Sequence, residues 1–266
     1  TAADSAEADA AASAALPGVG DLCAVEPYLR CGCCGACRRG RYNCCQQLQC
    51  LGVHVDGGMR QFLRLPQALL HRSSTLSLDQ LALIETLGIG AHAVSRGALA
   101  RGERALVVGA GPIGLATTQF AQLAGGEVNV LEPNPLRRAF AERFGARVLA
   151  EPDGSLYDVV FDATGNASAM AASLHHVDHG GRLVYVGLVL GTVAIDDPLL
   201  HRREVTLFAS RNSCHEFPRI VRLVEAGQID TRPWITHRLT LAEVPARFAA
   251  VRESPELIKA MIEVED

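Results

Sequence analysis

The segment 107–114 most constrains what this chain can fold into, because it reads Val-Val-Gly-Ala-Gly-Pro-Ile-Gly between an apolar run and a stretch with helical spacing. In such a Gly-x-Gly-x-x-Gly turn, Gly109 permits the tight bend, Gly111 lets a pyrophosphate approach the backbone, and Gly114 lets the next helix pack close to the strand. The helix N-terminus offers free N–H groups and a partial positive charge to phosphate. The pattern therefore favours dinucleotide binding over a purely structural turn. The turn residues expected at the coenzyme are Gly109, Gly111, Pro112, Ile113 and Gly114.

An acidic residue follows the next apolar run, at the distance where a ribose is recognised. Glu132 comes about 20 residues after the glycine turn and directly after the strand-like run 128–131. A carboxylate there accepts hydrogen bonds from both ribose hydroxyls and repels a 2′-phosphate, which favours NAD over NADP. Arg137 and Arg138 act in the opposite direction, because arginine can pair with phosphate. We expect NAD, with Arg137 among the residues that bind it, and leave NADP open.

Strand-like and helix-like segments alternate through the middle of the chain. This alternation predicts an α/β fold, a doubly wound parallel sheet with right-handed crossovers and the strand order 3-2-1-4-5-6. The link between the third and fourth strands is too short to contain a helix. The expected strands are 105–108, 128–131, 147–149, 158–162, 182–186 and 205–209, and the expected helices are 112–124, 135–144, 166–176 and 198–203.

The region before this alternation is expected to form a small β-rich domain. A strand is predicted at 22–25, and the runs 51–55 and 61–65 are predicted to form a hairpin through the Asp-Gly-Gly turn at 56–58. Residues 1–16 are nearly all Ala, Ser and acids, which makes them a poor core segment.

Helices are predicted on both sides of the alternating region. Ser77 and Gln80 have the spacing of a capping box, which predicts a helix over 81–84. A second helix is predicted from residue 89 to about residue 99. The last segments are expected to return to the first domain as a helix at 217–226, a strand at 235–239, a helix at 242–250 and a strand at 257–264.

Six of the nine cysteines lie between residues 31 and 45. Four of them have short spacings that let one loop wrap a tetrahedral zinc ion, and such a closed four-thiolate site is structural rather than catalytic. The nearby Cys33, Cys44 and Cys50 leave the choice of ligands ambiguous, and free thiols or a disulfide pair are the alternative. In a long chain with a nucleotide-binding core, this density favours metal binding in a reducing compartment. The expected zinc ligands are Cys31, Cys34, Cys37 and Cys45.

Composition excludes several classes of partner. The chain has 266 residues, a net charge of −4 and 48% hydrophobic residues, so neither nucleic acid nor an acidic membrane surface is expected to bind it. Its apolar runs are too short to span a bilayer. Its first residues contain no Lys or Arg, which argues against a secretory signal. We expect a cytoplasmic protein.

Several motifs together resemble the zinc-containing medium-chain alcohol dehydrogenase family, in its sorbitol and sugar-acid (polyol) dehydrogenase-like bacterial branch. The resemblance covers about residues 18–266. Its motifs are Gly-Asp-Leu-Cys-Ala-Val-Glu-Pro at 20–27, the cysteine-rich segment, Asp-Gly-Gly at 56–58, Ile-Glu at 84–85, Gly-Ala-His-Ala at 90–93, the glycine turn, Phe-Asp-Ala-Thr-Gly at 161–165, Gly-Gly-Arg-Leu-Val at 180–184, Ser-Arg-Asn at 210–212 and Ile-Thr-His-Arg at 235–238.

The resemblance implies a Rossmann domain beside a truncated β-rich (GroES-like) catalytic domain, with the active site in the cleft between them. The implied domains are a catalytic domain at 1–87 with a zinc lobe at 31–50, an NAD-binding Rossmann domain at 88–212, and a segment at 213–266 that returns to the catalytic domain.

The resemblance also implies where a catalytic zinc and the coenzyme bind. The third ligand of the family's catalytic zinc matches Glu85, and the alternative for this acid is an ion-paired core residue. The family's other two ligands, a Cys and the His of a Gly-His-Glu motif, would fall at or before Thr1, and no His precedes His54. Further residues implied at the coenzyme are Thr164, Gly165, Val186, Gly187, Ser210, Arg211 and Asn212.

The resemblance implies an NAD(H)- and zinc-dependent oxidoreductase that acts on the CH–OH group of an alcohol, polyol or sugar acid by hydride transfer. Because Glu85 alone cannot hold a catalytic zinc, we expect the chain as given to be impaired. The alternative is a non-catalytic NAD-binding remnant with structural zinc only, and a weaker one is a thiol-rich redox or metal-buffer module. The oligomers that this family forms imply a homodimer or homotetramer.

Overall fold

The computed structural model describes residues 17–264, so the predicted character of residues 1–16 lies outside it. The elements in chain order are β1 (Leu22–Val25), β2 (Tyr28–Leu29), α1 (Gly35–Arg38), β3 (Gln49–Cys50), β4 (Leu70–Ser73), α2 (Leu78–Gly97), β5 (Arg104–Val108), α3 (Pro112–Leu123), β6 (Glu127–Leu131), α4 (Pro135–Glu142), β7 (Arg147–Leu149), β8 (Tyr157–Asp162), α5 (Ala167–Ser173), β9 (Val177–Tyr185), α6 (Asp197–Arg202), β10 (Thr206–Ala209), α7 (Phe217–Glu225), β11 (Ile235–Thr240), α8 (Val244–Glu253) and β12 (Lys259–Glu263).

The described residues form two compact units. The first contains 17–85, 215–232 and 264, and the second contains 86–214 and 233–263. The structure thus differs from the predicted return of the whole segment 213–266 to the first domain. Residues 233–263 belong to the second unit, where the fully buried Trp234 contacts Phe144 edge-on with ring centroids 6.3 Å apart.

The first unit is built on two short antiparallel strand pairs. Strand β1 pairs with β4, and β2 pairs with β3 so that Tyr28 lies opposite Cys50. The predicted strand at 22–25 is confirmed.

The predicted hairpin over 51–65 is wrong, because the chain turns back earlier. The Cys50 N–H donates to His54 Nδ1 at 2.9 Å, and the Gly52 N–H donates to the Val55 oxygen at 2.8 Å. This turn leaves one bridge between Leu51 and Val55, and residues 56–66 contain no strand.

The second unit is a six-stranded, wholly parallel sheet in the order β10-β9-β8-β5-β6-β7. This is the predicted order 3-2-1-4-5-6 read from the other edge, and the prediction is confirmed. Central strands β5 and β8 are almost fully buried, as strands covered on both faces must be. The link between β7 and β8 contains no helix, as expected.

Helix α2 is one continuous helix, whereas two helices were predicted in its place. It runs through Gly88 and Gly90 without interruption. Gly90 is required because a Cβ there would lie 2.6 Å from the Ala116 backbone of α3. The glycine that reads as a break in the sequence is therefore a close-packing position inside a helix.

Within the described residues, no helix combines the length and the apolar character needed to cross a membrane.

Candidate coenzyme and metal sites

The glycine turn connects β5 to α3 in a geometry that only glycine allows at two of its positions. Gly109 has a φ of +95°, and its N–H donates to the Leu131 oxygen at 2.8 Å. A Cβ on Gly114 would lie 1.9 Å from the Gly109 oxygen. The third position differs, since a Cβ on Gly111 would meet nothing within 4 Å. The backbone at Gly111 therefore faces open space.

Gly111 is also the N-cap of α3, and no side chain caps this helix end. The first N–H groups of a helix need an acceptor. Pro112 at the start of the helix removes one of them and fits the helical backbone. The uncapped end beside open space is suited to a phosphate ligand.

Glu132 lies directly after β6 and is buried, with 4% of its surface exposed. One carboxylate oxygen accepts the Ala110 N–H at 2.8 Å, and the other accepts the Asn134 N–H at 2.9 Å. The carboxylate thus joins the glycine turn to the start of α4. Each oxygen keeps a lone pair, so the group can still accept hydrogen bonds from a ligand.

An open cavity of about 650 Å³ lies at the carboxyl ends of these strands. Six predicted coenzyme residues line it: Gly109, Gly111, Pro112, Glu132, Arg137 and Thr164. The sequence predictions missed Glu151, Asn166 and Ala169, which also line it. For Glu151 and Asn166, the position in the loops just after β7 and β8 is the signal that could have identified them.

The two arginines near this cavity have different roles. Arg138 donates to the main-chain oxygens of Glu132 and Pro133, at 3.2 and 2.6 Å. Arg137 lines the cavity, and its buried Nε has no hydrogen-bond partner among the described residues. Of the two arginines, Arg137 is therefore the one that borders the cavity.

The loops after β8 and β9 pack through two glycines. Gly165 has a φ of +61°, and a Cβ on Gly187 would lie 2.3 Å from the Gly165 nitrogen. The N–H groups of Val186 and Gly187 donate to the main-chain oxygen of Asp162 at 2.8 and 2.9 Å. These residues support the region around the cavity without lining it.

The Ser-Arg-Asn segment follows β10, at the edge of the sheet. The Ser210 N–H donates to the Tyr185 oxygen at 2.9 Å, and its buried hydroxyl has no partner among the described residues. Asn212 has a φ of +51°. The residues that sequence analysis placed at the coenzyme but that do not line this cavity are Ile113, Gly114, Gly165, Val186, Gly187, Ser210, Arg211 and Asn212.

The structure brings the thiols of Cys31, Cys34, Cys37 and Cys45 together, with all four sulfurs within 4.8 Å of one another. Three sulfur–sulfur distances are 3.5, 3.6 and 4.0 Å. A tetrahedral zinc ion with bonds of about 2.3 Å separates its sulfurs by about 3.8 Å. The four thiols therefore fit a zinc ion in spacing and in ligand chemistry.

Backbone N–H groups point at these sulfurs. The Cys34 N–H donates to the Cys31 sulfur at 3.3 Å, and the N–H groups of Cys31 and Gln47 donate to the Cys45 sulfur at 3.4 and 3.3 Å. Backbone hydrogen bonds lower the pKa of the Cys34 thiol to about 6, and the one from Cys37 contributes most. Burial and, as the second cause, the hydrogen bond with the Cys34 thiol raise the pKa of the Cys37 thiol to about 12. The backbone therefore supplies N–H donors that stabilise thiolate charge on these sulfurs.

The remaining cysteines of this segment lie outside the four-sulfur group. Cys33 and Cys44 are exposed, and Cys50 is half-buried on β3. Among residues 17–264, the four-sulfur group is the sole one with three or more possible His, Cys, Asp or Glu ligands.

Glu85 lies on α2 and is half-buried. Its Oε1 accepts a hydrogen bond of 2.7 Å from the hydroxyl of Tyr28, which is 1% exposed. Glu85 is therefore hydrogen-bonded to a neutral phenol, whereas the alternative given above for this residue was an ion pair. Among residues 17–264, no group of three or more possible His, Cys, Asp or Glu ligands includes Glu85.

Comparisons with known proteins place the chain in one family. Residues 112–226 match the family described as zinc-binding dehydrogenase, and residues 9–75 match the alcohol dehydrogenase GroES-like domain. L-galactonate-5-dehydrogenase of Escherichia coli (strain K12) is 41% identical over 260 residues, covering 91% of this chain and 76% of that protein. The 2-dehydro-3-deoxy-L-galactonate 5-dehydrogenase of Pseudoalteromonas atlantica is 31% identical, covering 92% and 76%.

A solved structure shares the fold. A Sinorhizobium meliloti 1021 protein described as a zinc-binding dehydrogenase, bound to NADP, superposes with a TM-score of 0.84 at 27% identity. The match covers 94% of this chain and 78% of that one.

Proposed function

The chain belongs to the zinc-containing medium-chain alcohol dehydrogenase family, an oxidoreductase family that acts on CH–OH groups, and from this premise we propose that it oxidises a sugar acid or polyol with NAD. The observation that carries the proposal is the cavity bordered by the uncapped glycine turn, Glu132 and Arg137. The nicotinamide coenzyme supplies the hydride chemistry when bound. The residues of this chain bind and orient it.

The preference for NAD over NADP rests on Glu132. Its buried carboxylate is held in place by two backbone N–H groups, and a fixed negative charge there repels a 2′-phosphate. The E132Q variant keeps the shape of the side chain and removes the charge. We expect it to shift the ratio of the dissociation constants for NADPH and NADH toward NADPH by about tenfold.

The matched control for this experiment is E151Q, because Glu151 lines the same cavity. Fluorescence titration of both variants with both reduced coenzymes measures the shift. A wild-type protein that binds NADPH more tightly than NADH contradicts the NAD assignment.

The four clustered thiols support a structural zinc ion as the second component. Cys31, Cys34, Cys37 and Cys45 would hold the ion, which closes the loop 31–45 in place of a hydrophobic core. All four coordination positions are then occupied by protein. This ion has a folding role and takes no part in hydride transfer.

Glu85 is our candidate for a ligand of a second, catalytic zinc. Residues 17–264 contain no group of three or more possible ligands that includes Glu85. The alternative function is a non-catalytic NAD-binding protein with structural zinc only.

Metal stoichiometry separates the two functions. Two zinc ions per chain, falling to one in E85A, support the dehydrogenase, whereas one ion with intact NADH binding supports the non-catalytic alternative. Production of NADH from L-galactonate, other aldonates and polyols tests the substrate class, since two relatives act on sugar acids according to their names. A two-zinc protein that oxidises none of them contradicts the substrate proposal.

Assembly and location complete the proposal. Strand β10 is one of the two edge strands of the sheet, and Leu207 on it is 37% exposed. An edge of this kind is available for pairing with a second sheet, which supports a homodimer or homotetramer. The nine free cysteines support a reducing location such as the cytoplasm. Light scattering of the purified protein measures the assembly, and a monomer contradicts it.

A further inference from the structure

Asp162 is fully buried at the end of β8, and its carboxylate receives three hydrogen bonds. Its Oδ1 accepts the N–H and the hydroxyl of Thr164 at 2.9 and 2.6 Å, and its Oδ2 accepts the Ser173 hydroxyl at 2.6 Å. A buried carboxylate is costly unless it is satisfied in this way. The chain therefore maintains a buried, fully hydrogen-bonded acidic side chain next to the coenzyme cavity.

These bonds fix the orientation of Thr164, which lines the cavity. The Thr164 hydroxyl gives its proton to Asp162 and accepts the Asn166 N–H at 3.1 Å. With its proton committed, this oxygen can offer a ligand only a lone pair. Such an acceptor suits a hydroxyl donor such as a ribose hydroxyl and disfavours a phosphate oxygen.

The same orientation brings the Thr164 methyl group against the glycine turn. A Cβ on Gly109 would lie 3.2 Å from Thr164 Cγ2, so the absence of that Cβ makes room for the methyl group. The main-chain oxygen of Asp162 also accepts the N–H groups of Val186 and Gly187. One residue thus connects the glycine turn, the loop after β8 and the loop after β9.

We propose that Asp162 is a positioning residue for the coenzyme, which acts by holding Thr164 with its hydroxyl oxygen as an acceptor toward the cavity and its methyl group against Gly109. The proposal rests on the proposed coenzyme function of this cavity. It assigns Asp162 no contact with the coenzyme itself.

The D162N variant tests the proposal. The amide has nearly the shape of the carboxylate, but its NH2 group must face either the donors of Thr164 or the hydroxyl of Ser173. We expect the dissociation constant for NADH to rise about tenfold, as for loss of one hydrogen bond to the Thr164 hydroxyl oxygen. In turnover, KM for NAD should rise by a similar factor while kcat changes less than about twofold.

The matched control is S173A, which removes the other partner of the same carboxylate and leaves Thr164 in place. Both variants should lower the melting temperature, but S173A should bind NADH within about twofold of wild type. The T164V variant keeps the methyl group and removes the hydroxyl, and it should reproduce the weaker binding even if D162N does not fold.

Two results overturn the inference. D162N or T164V that binds NADH as wild type does, at whatever melting temperature, makes the network purely structural. Weakening in S173A equal to that in D162N means that burial of the carboxylate matters rather than the orientation of Thr164. A wild-type protein that binds neither NADH nor NADPH instead contradicts the proposed function.

Discussion

The four-thiol loop at 31–45 and the parallel sheet β5–β10 fix their sites by different physical means. Within the loop, only Ala36, Tyr42, Asn43 and Cys45 are buried, so little apolar surface stabilises it. The sheet contains a large apolar core, including most of β5 and β8. We therefore expect the loop to depend on the proposed zinc ion, whereas the sheet depends on the burial of apolar side chains. Removal of the metal should therefore unfold the loop alone, and a cavity in the sheet should destabilise the sheet alone.

The largest effect is expected from removal of the metal. Structural zinc contributes about 10 kcal/mol or more to the folding of small metal sites, so a strong chelator should unfold residues 31–50 while the sheet stays folded. Hydrogen exchange read by mass spectrometry should lose protection in that segment only. C34S should lose the zinc ion, and C33S, at an exposed cysteine outside the group, should keep it. Loss of protection throughout the sheet would contradict the claim that the loop and the sheet are stabilised independently.

The next effect is the reverse perturbation, in the sheet. Phe161 on β8 is fully buried, and F161A should lower the free energy of unfolding by about 3–5 kcal/mol because it leaves a cavity. Urea denaturation measures this loss. Zinc content should stay at the wild-type value. The control F62A replaces a phenylalanine that is 88% exposed, so it should change stability by less than about 0.5 kcal/mol.

A smaller and more local effect separates folding from binding within the glycine turn. G114A places a Cβ against the Gly109 oxygen and should cost about 1–3 kcal/mol of stability. G111A meets only open space, so its melting temperature should match that of wild type. Its NADH affinity should nevertheless fall, because the methyl group occupies the space of the pyrophosphate. Unchanged NADH affinity in G111A would place the phosphates elsewhere.

The smallest effect concerns pH. Burial, followed by the neighbouring His175, lowers the pKa of the half-buried His176. The unfolded chain therefore binds this proton at a higher pH than the folded one, and stability falls as the pH drops from about 6.5 through the folded pKa. H176N should lose less melting temperature than wild type between pH 7.5 and pH 5. An identical pH dependence in the two proteins would contradict this assignment.

The sheet was predictable because its signals are local and agree with one another. The apolar runs, the glycine turn and the acid at 132 predicted five of the six strands within one residue of their observed ends, and β9 begins five residues before its predicted start. The clustering of the four thiols was also readable, since short spacings on one loop leave few arrangements.

What could not be read depends on contacts distant in sequence. Gly90 looks like a helix break until the backbone of α3 is placed against it. The Asp-Gly-Gly segment has the composition of a hairpin turn. The chain nevertheless turns before it, where the Cys50 N–H donates a hydrogen bond to the His54 side chain. Likewise, the partner of Glu85 is Tyr28, 57 positions away, and no local pattern indicates that pairing.

The two exposed cysteines described above, Cys33 and Cys44, have a practical consequence. A charged alkylating reagent should label these two quickly in the metal-bound protein and spare the four coordinated sulfurs. Loss of the metal should add those four, so the number of fast-reacting thiols among residues 31–45 rises from two to six. Intact-mass counting of the labels would then report metal occupancy molecule by molecule, without any assay of turnover.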